Sequence, residues 1–359
     1  MKKILLSATL LISVAATAQD STNNTSNPFS FSSYIESYYT YDFSKPADNN
    51  RPGFIYSHNR HNEFNLNLGF VRGSYTTDKV RGNLAIATGT YMNANYAAEP
   101  GVLKNIYEAN AGFKIGKKNL WLDAGIFPSH IGYESAISKD NWTLTRSIAA
   151  ENSPYYEAGA KITYTSKNDK VLLSGMVLNG WQRIQRPEAN NTPAVGTQVN
   201  FKPNSKTTIN WSTFIGNDKP DSIKQWRYFN NFYGIFQFNE KFGLTLGFDI
   251  GQEQISKRSS KLNAWYSPTI VVRFTPGNNW AIAARGEYYS DENGVIVSTG
   301  TTNGFKTLGV SLNVDRRIND NFWWRIELRT LNSKDSIFKE QGLSTKNNTA
   351  ITTSLAISF

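Results

Sequence analysis

The chain has 359 residues, no cysteine, and 38 Lys and Arg against 28 Asp and Glu, for a formal charge of +10. Without cysteine there is no disulfide staple, no thiol chemistry and no lipid-modified N-terminal cysteine. A mean hydropathy of -0.45, with no apolar run of roughly 18 to 20 residues beyond the N-terminus, excludes a bundle of membrane-spanning helices.

In chain order, Lys2 and Lys3, the apolar run 4–14 and Ala16-Thr17-Ala18 form a secretory signal over 1–18, cleaved near Ala18/Gln19. Loss of the two lysines lowers the charge from +10 to +8. An exported chain of this charge points to an anionic lipid surface or an anion path, with nucleic acid excluded as a partner. Residues 19–30 are polar and turn-prone, and read as a periplasmic leader ahead of a barrel over 31–359.

From residue 31 onward the chain reads as two-residue alternation broken by Gly, Pro, Asn, Asp and Lys clusters. The runs lie near 31–43, 62–77, 80–92, 103–116, 120–128, 155–166, 170–182, 195–203, 206–216, 228–239, 242–255, 262–275, 278–290, 303–315, 321–334 and 346–359. They number about sixteen, with fourteen as the alternative if a pair around 195–216 merges. Short links such as Thr77-Asp78-Lys79 and Pro203-Asn204-Ser205 alternate with long ones, as tight periplasmic turns alternate with outer loops in an up-and-down transmembrane barrel. Phe64, Leu66, Leu68 and Phe70 share one face of their strand; Phe242, Leu244, Leu246 and Phe248 do so in theirs. The last strand sets Ile351, Thr353, Leu355, Ile357 and Phe359 against Thr352, Ser354, Ala356 and Ser358. A closed antiparallel barrel is the only sheet that leaves no unpaired edge in lipid, and aromatics at 13% supply its interface girdles.

With the apolar faces toward lipid, the lumen receives Arg81, Lys114, Lys161, Arg273, Arg285, Arg325 and Arg329, with Glu108, Asp123, Glu157, Asp249, Glu287 and Glu327. Facing lipid, a Lys or Arg would cost about 2 to 4 kcal/mol at mid-depth. Mixed charge around a pore orients polar solutes, and the small cation excess predicts a weak anion preference. The alternative is that these groups pair and brace the wall. The longest link, 129–154, carries Glu134, Lys139, Asp140, Arg146 and Glu151 beside Trp142 and Ile148, and is expected to fold inward and narrow the lumen.

Three histidines, His58, His61 and His130, all lie in loops. No hydrolase context surrounds His130, and His58, His61 and Glu63 lack the spacing of a metal site. No catalytic residue, cofactor or metal is expected.

The segment Gly125-Ile126-Phe127-Pro128, Ile131-Gly132-Tyr133-Glu134, Ser153-Pro154-Tyr155-Tyr156-Glu157-Ala158-Gly159 and Asn179-Gly180-Trp181 resembles the OmpL-like family of β-barrel porins. The likeness runs more weakly from about residue 31 to the C-terminus. It implies an outer-membrane porin of a Gram-negative bacterium, passing small hydrophilic solutes, and brings no catalytic or binding residues. The alternatives are a channel selective for oligosaccharides, with Trp121, Trp265, Tyr289 and Trp323 stacking on sugar faces, or a non-conducting structural or adhesin barrel. Copies of the chain are expected to associate, if at all, through the weakly apolar wall around 195–216.

Overall fold

The computed structural model describes residues 27–277 and 279–359; the signal 1–18 and most of the leader lie outside the described residues. The alternating segments form β1 (Phe29–Asp42), β2 (Phe64–Thr76), β3 (Val80–Thr88), β4 (Ile106–Lys114), β5 (Leu120–Pro128), β6 (Tyr156–Thr165), β7 (Val171–Leu178) and β8 (Ala194–Asn204). They continue as β9 (Thr207–Gly216), β10 (Arg227–Gln237), β11 (Phe242–Gln254), β12 (Leu262–Gly277), β13 (Trp280–Asp291), β14 (Phe305–Asn319) and β15 (Phe322–Ser333). A small hairpin, β16 (Phe338–Glu340) with β17 (Leu343–Thr345), sits in the last outer loop before β18 (Asn347–Ser358). Each wall strand pairs antiparallel with its neighbours, and β18 pairs with β1 from Tyr34 opposite Ser358 to Asp42 opposite Ala350. That ladder closes a barrel of sixteen strands. β8 and β9 are separate strands joined by a tight turn, which removes the fourteen-strand option.

Closure follows from the two faces. Val71, Leu84, Ile86, Leu308, Val310, Leu312, Leu328 and Leu355 are exposed on the outside, while Thr352, Ser354, Ala356, Asn313 and Ser212 are buried within. This is the inverse of a water-soluble protein: apolar side chains meet the surroundings and polar ones meet each other. Among the described residues no helix is long and apolar enough to cross a membrane.

Three expectations need correction. β3 was expected to reach residue 92, but the chain leaves the wall at Gly89 and winds into α1 (Thr90–Asn95), whose Thr90, Tyr91, Met92 and Asn95 are buried. Gly89 has φ 125°, and a Cβ there would lie 2.4 Å from the Asn67 carbonyl oxygen, so only glycine makes this exit. In β2 the facing inverts midway. A register shift at Glu36/Ser37 opposite Leu68/Leu66 turns Leu68 and Phe70 into the lumen, whereas Phe64 stays outside; a β-bulge adds one residue and so flips a period-two pattern. β1 starts at Phe29, two residues inside the segment assigned to the leader.

Candidate functional site

The lumen is occupied by segment 129–154, which leaves the end of β5 and crosses the barrel interior. At its start His130 Nε2 donates to the Thr213 carbonyl at 2.8 Å, and Ser212 Oγ donates to the His130 carbonyl at 2.6 Å, both on β9. Burial holds the His130 imidazole down at about 4, so it is neutral. Gly132 N donates to Asn231 Oδ1 of β10 at 3.1 Å. Further on, Leu144 N donates to Asn313 of β14 at 3.0 Å, Thr145 N to Glu327 of β15 at 2.5 Å and Ile148 N to Glu287 of β13 at 2.5 Å. Ser138 Oγ donates to Glu36 of β1. The segment therefore ties walls on opposite sides of the barrel. It ends in α2 (Ile148–Glu151), N-capped by Ser147, whose Oγ accepts from Ala150 N.

Arg285 is the centre of the charge network. It lies 3.0 Å from Glu327, 3.3 Å from Glu287 and 3.7 Å from Glu134 of the loop, and also donates to Thr143 and Thr145. Arg329 donates to Glu287 at 2.7 Å. Arg325 grips Asp315 bidentately at 2.7 and 2.9 Å and donates to the Ser138 and Asn141 carbonyls. Within the loop Arg146 is fully buried and donates to the Leu144 and Ala136 carbonyls at 2.7 and 2.8 Å, while Glu134 accepts from Ser147. Glu151 accepts from Tyr56 N at 2.9 Å and Ser57 N at 3.1 Å, fastening the first outer loop onto the inner one. Burial raises the Glu151 carboxyl to about 7, against the pull of those N–H groups and of Arg146 and Arg329. Lys139 and Asp140 pair with each other at 2.9 Å at the loop's more open edge, with Lys139 5.4 Å from the Trp323 ring.

Nearer the turn end the lumen wall is open to water. There Arg81 clasps Asp123 at 2.7 and 2.5 Å and lies over Trp121. Arg72 meets Glu108 at 2.9 Å, Lys161 sits 4.4 Å from the Phe127 ring, Lys114 lies 6.0 Å from Trp121, and Arg273 stacks near Trp142 at 5.9 Å. Asp249 accepts only from Asn231, at 2.6 Å, and buried Glu157 has no hydrogen-bond partner among the described residues. Trp265 and Tyr289 are sealed beneath outer-loop residues Ile55, Val297 and Phe338, away from any sugar, whereas Trp121 and Trp323 are partly exposed.

Interior groups that escaped the sequence reading include Glu36, Arg72, Asp315 and Glu253. Glu36 shares its face of β1 with Tyr34 and Tyr38, so it reads as part of an apolar side, and Arg72 follows the bulge that inverts β2. Asp315 and Glu253 stand in polar phase with Asn313 and Gly251 and were legible from alternation. His58 is held by Glu36 at 3.2 Å, His61 Nδ1 accepts from Asp42 N, and Glu63 pairs with Arg60, so the loop histidines are apart. No cluster among the described residues offers three metal-ligating side chains. Cavities of about 520 Å³ and 340 Å³ lie above the network between the outer loops, with about 50 Å³ beside Trp142 and Tyr133.

A family model described as "Putative beta-barrel porin-2, OmpL-like" matches residues 28–359. The chain belongs to this porin family. Its fold is similar to that of the anion-selective porin from Comamonas acidovorans, at TM-score 0.60 and 8% identity over 92% of this chain and 99% of that one. It is also similar to OmpT of Vibrio cholerae in its trimer form (0.59, 10%, over 92% and 99%). The outer-membrane channel DcaP of Acinetobacter baumannii matches at 0.59 and 9% over 92% and 97%. No curated protein sequence matches significantly. The OmpL-like porins are barrels of the outer membrane and channels rather than enzymes, and the inward segment 129–154 crosses the lumen of this member.

Proposed function

We propose that this porin is a passive diffusion channel for small hydrophilic solutes, narrowed by segment 129–154 and weakly selective for anions. The observation that carries the reading is the set of hydrogen bonds fixing that segment to β1, β9, β10, β13, β14 and β15 across the lumen. A loop pinned on several sides holds a fixed cross-section, and pore diameter then sorts solutes by size. The anion preference rests on which charges meet water. The acids Glu108 and Asp123 are buried and paired, whereas Lys114, Lys161 and Arg273 keep part of their surface in the open half of the lumen. Asp315 and Glu253 pair with Arg325 and Arg227, and Glu36 is buried against Asn67, Ser138 and His58, so these acids stand away from the open half of the lumen.

Liposome swelling tests this. Vesicles carrying the refolded barrel are expected to admit glycine-sized zwitterions and pentoses rapidly and trisaccharides slowly. Equal rates for both sizes would remove the narrowed-channel reading.

A further inference from the structure

The lipid-facing wall of β8 to β11 carries a groove of about 420 Å³, lined by Phe201, Trp211, Phe232, Gly234, Phe236 and Phe248 among others. Gly234 lies opposite Ile209 of β9 and Leu246 of β11, so its missing side chain opens the wall between them. A Cβ there would come 2.6 Å from the Phe236 ring, which leans over the gap.

The turns below the groove and their flanks carry Lys167, Lys170, Lys202, Lys206 and Lys241 against Asp169 and Glu240, and all five lysines are exposed. The lysine ion pairs of the described residues lie elsewhere, at Lys139, Lys219, Lys224 and Lys306. Gln237, three residues below Gly234, donates its N–H to the Lys206 carbonyl at 2.8 Å. The lysines thus stand about 10 Å along the strand from the groove, at about 3.3 Å per residue. That is within the reach of one phospholipid, with its phosphate at the lysines and an acyl chain in the groove.

We infer that this wall binds an anionic phospholipid of the periplasmic leaflet, held by Lys202, Lys206 and Lys241 at the headgroup and by the Gly234 groove at the chain. Charge complementarity selects this occupant. A second copy of the chain would bring the same lysines to the contact region, whereas a phosphate neutralises them, and basic groups at a membrane surface attract anionic lipid. The inference rests on the outer-membrane orientation above, with the tight turns toward the periplasm, and not on conduction.

Native mass spectrometry of the folded protein in detergent tests it, with dioleoyl-phosphatidylglycerol or dioleoyl-phosphatidylcholine added as the probe. The phosphatidylglycerol adduct is expected to persist and the phosphatidylcholine adduct to dissociate. The K202Q/K206Q/K241Q variant, shown folded by heat-modifiable migration, is expected to bind phosphatidylglycerol about a hundredfold more weakly, from about fivefold per lysine. G234L, checked for folding in the same way, is expected to weaken both lipids alike by filling the groove. Equal retention of the two lipids, full retention by the triple variant, or expulsion of lipid when copies associate would overturn the site. Bound lipid from a protein that carries no current would sink the channel reading alone.

Discussion

At the scale of single residues, Arg285 shows how a buried charge network depends on its balance. It is shared by Glu134, Glu287 and Glu327, all buried. Replacing it with Met leaves Glu134 and Glu327 without the cation they share and Glu287 with Arg329 alone, and a broken buried pair costs about 3 to 5 kcal/mol. The R285M barrel is therefore expected to unfold at clearly lower urea in detergent. Adding E327Q is expected to recover part of the loss, and a wild-type midpoint for R285M would refute the network's role. Glu151 makes a separate case. Its carboxyl is raised from 4.5 to about 7 chiefly by burial, so the folded chain holds a proton that the unfolded chain releases. Its stabilising contribution is fully present below about 4.5 and is lost as pH rises through about 7. Protection of the first outer loop from proteolysis should accordingly weaken across that window, and E151Q should flatten the dependence. An unchanged pH profile in E151Q would assign the effect to another group.

At the scale of elements, the central relation is between segment 129–154 and the wall it crosses. Deleting residues 136–148 removes the contacts to Glu36, Asn313 and Glu327, and with them the narrowing proposed above. Single-channel conductance of the deletion is expected to rise several-fold over the full chain, and an unchanged value would place the limiting constriction elsewhere. The strands themselves were legible in the sequence, because a lipid-facing side and a lumen side impose a strict period of two and the turns need Asn, Asp, Gly and Lys. Legibility failed where a single residue changes the phase. The bulge opposite Glu36 reversed Leu68, Phe70 and Arg72, and Gly89 diverted a strand into α1. Neither leaves a mark in alternation, since each is decided by contact with a neighbouring strand. That 129–154 is more than a turn was legible from its length and its mixture of charge with Trp142 and Ile148. Its partners were not, because hydrogen bonds such as Leu144 to Asn313 join residues far apart in the chain.

At the scale of the whole molecule, sixteen strands close on themselves, the outside is apolar, and charge is gathered inside and at the two rims. The lumen charges resolve into two levels. A compensated, buried network surrounds Arg285 and Arg325, and a more open region nearer the turns exposes Lys114, Lys161 and Arg273. On the proposed reading, a solute meets the second level as a weak positive field and the first as a steric limit with little net charge. The measurement that tests this most directly is single-channel recording of the refolded protein in a planar bilayer, with the reversal potential read under a potassium chloride gradient. A small, steady conductance with the reversal potential displaced toward chloride is the expected result. Absence of current from protein shown to be folded by heat-modifiable migration would contradict it and leave a closed structural barrel in its place.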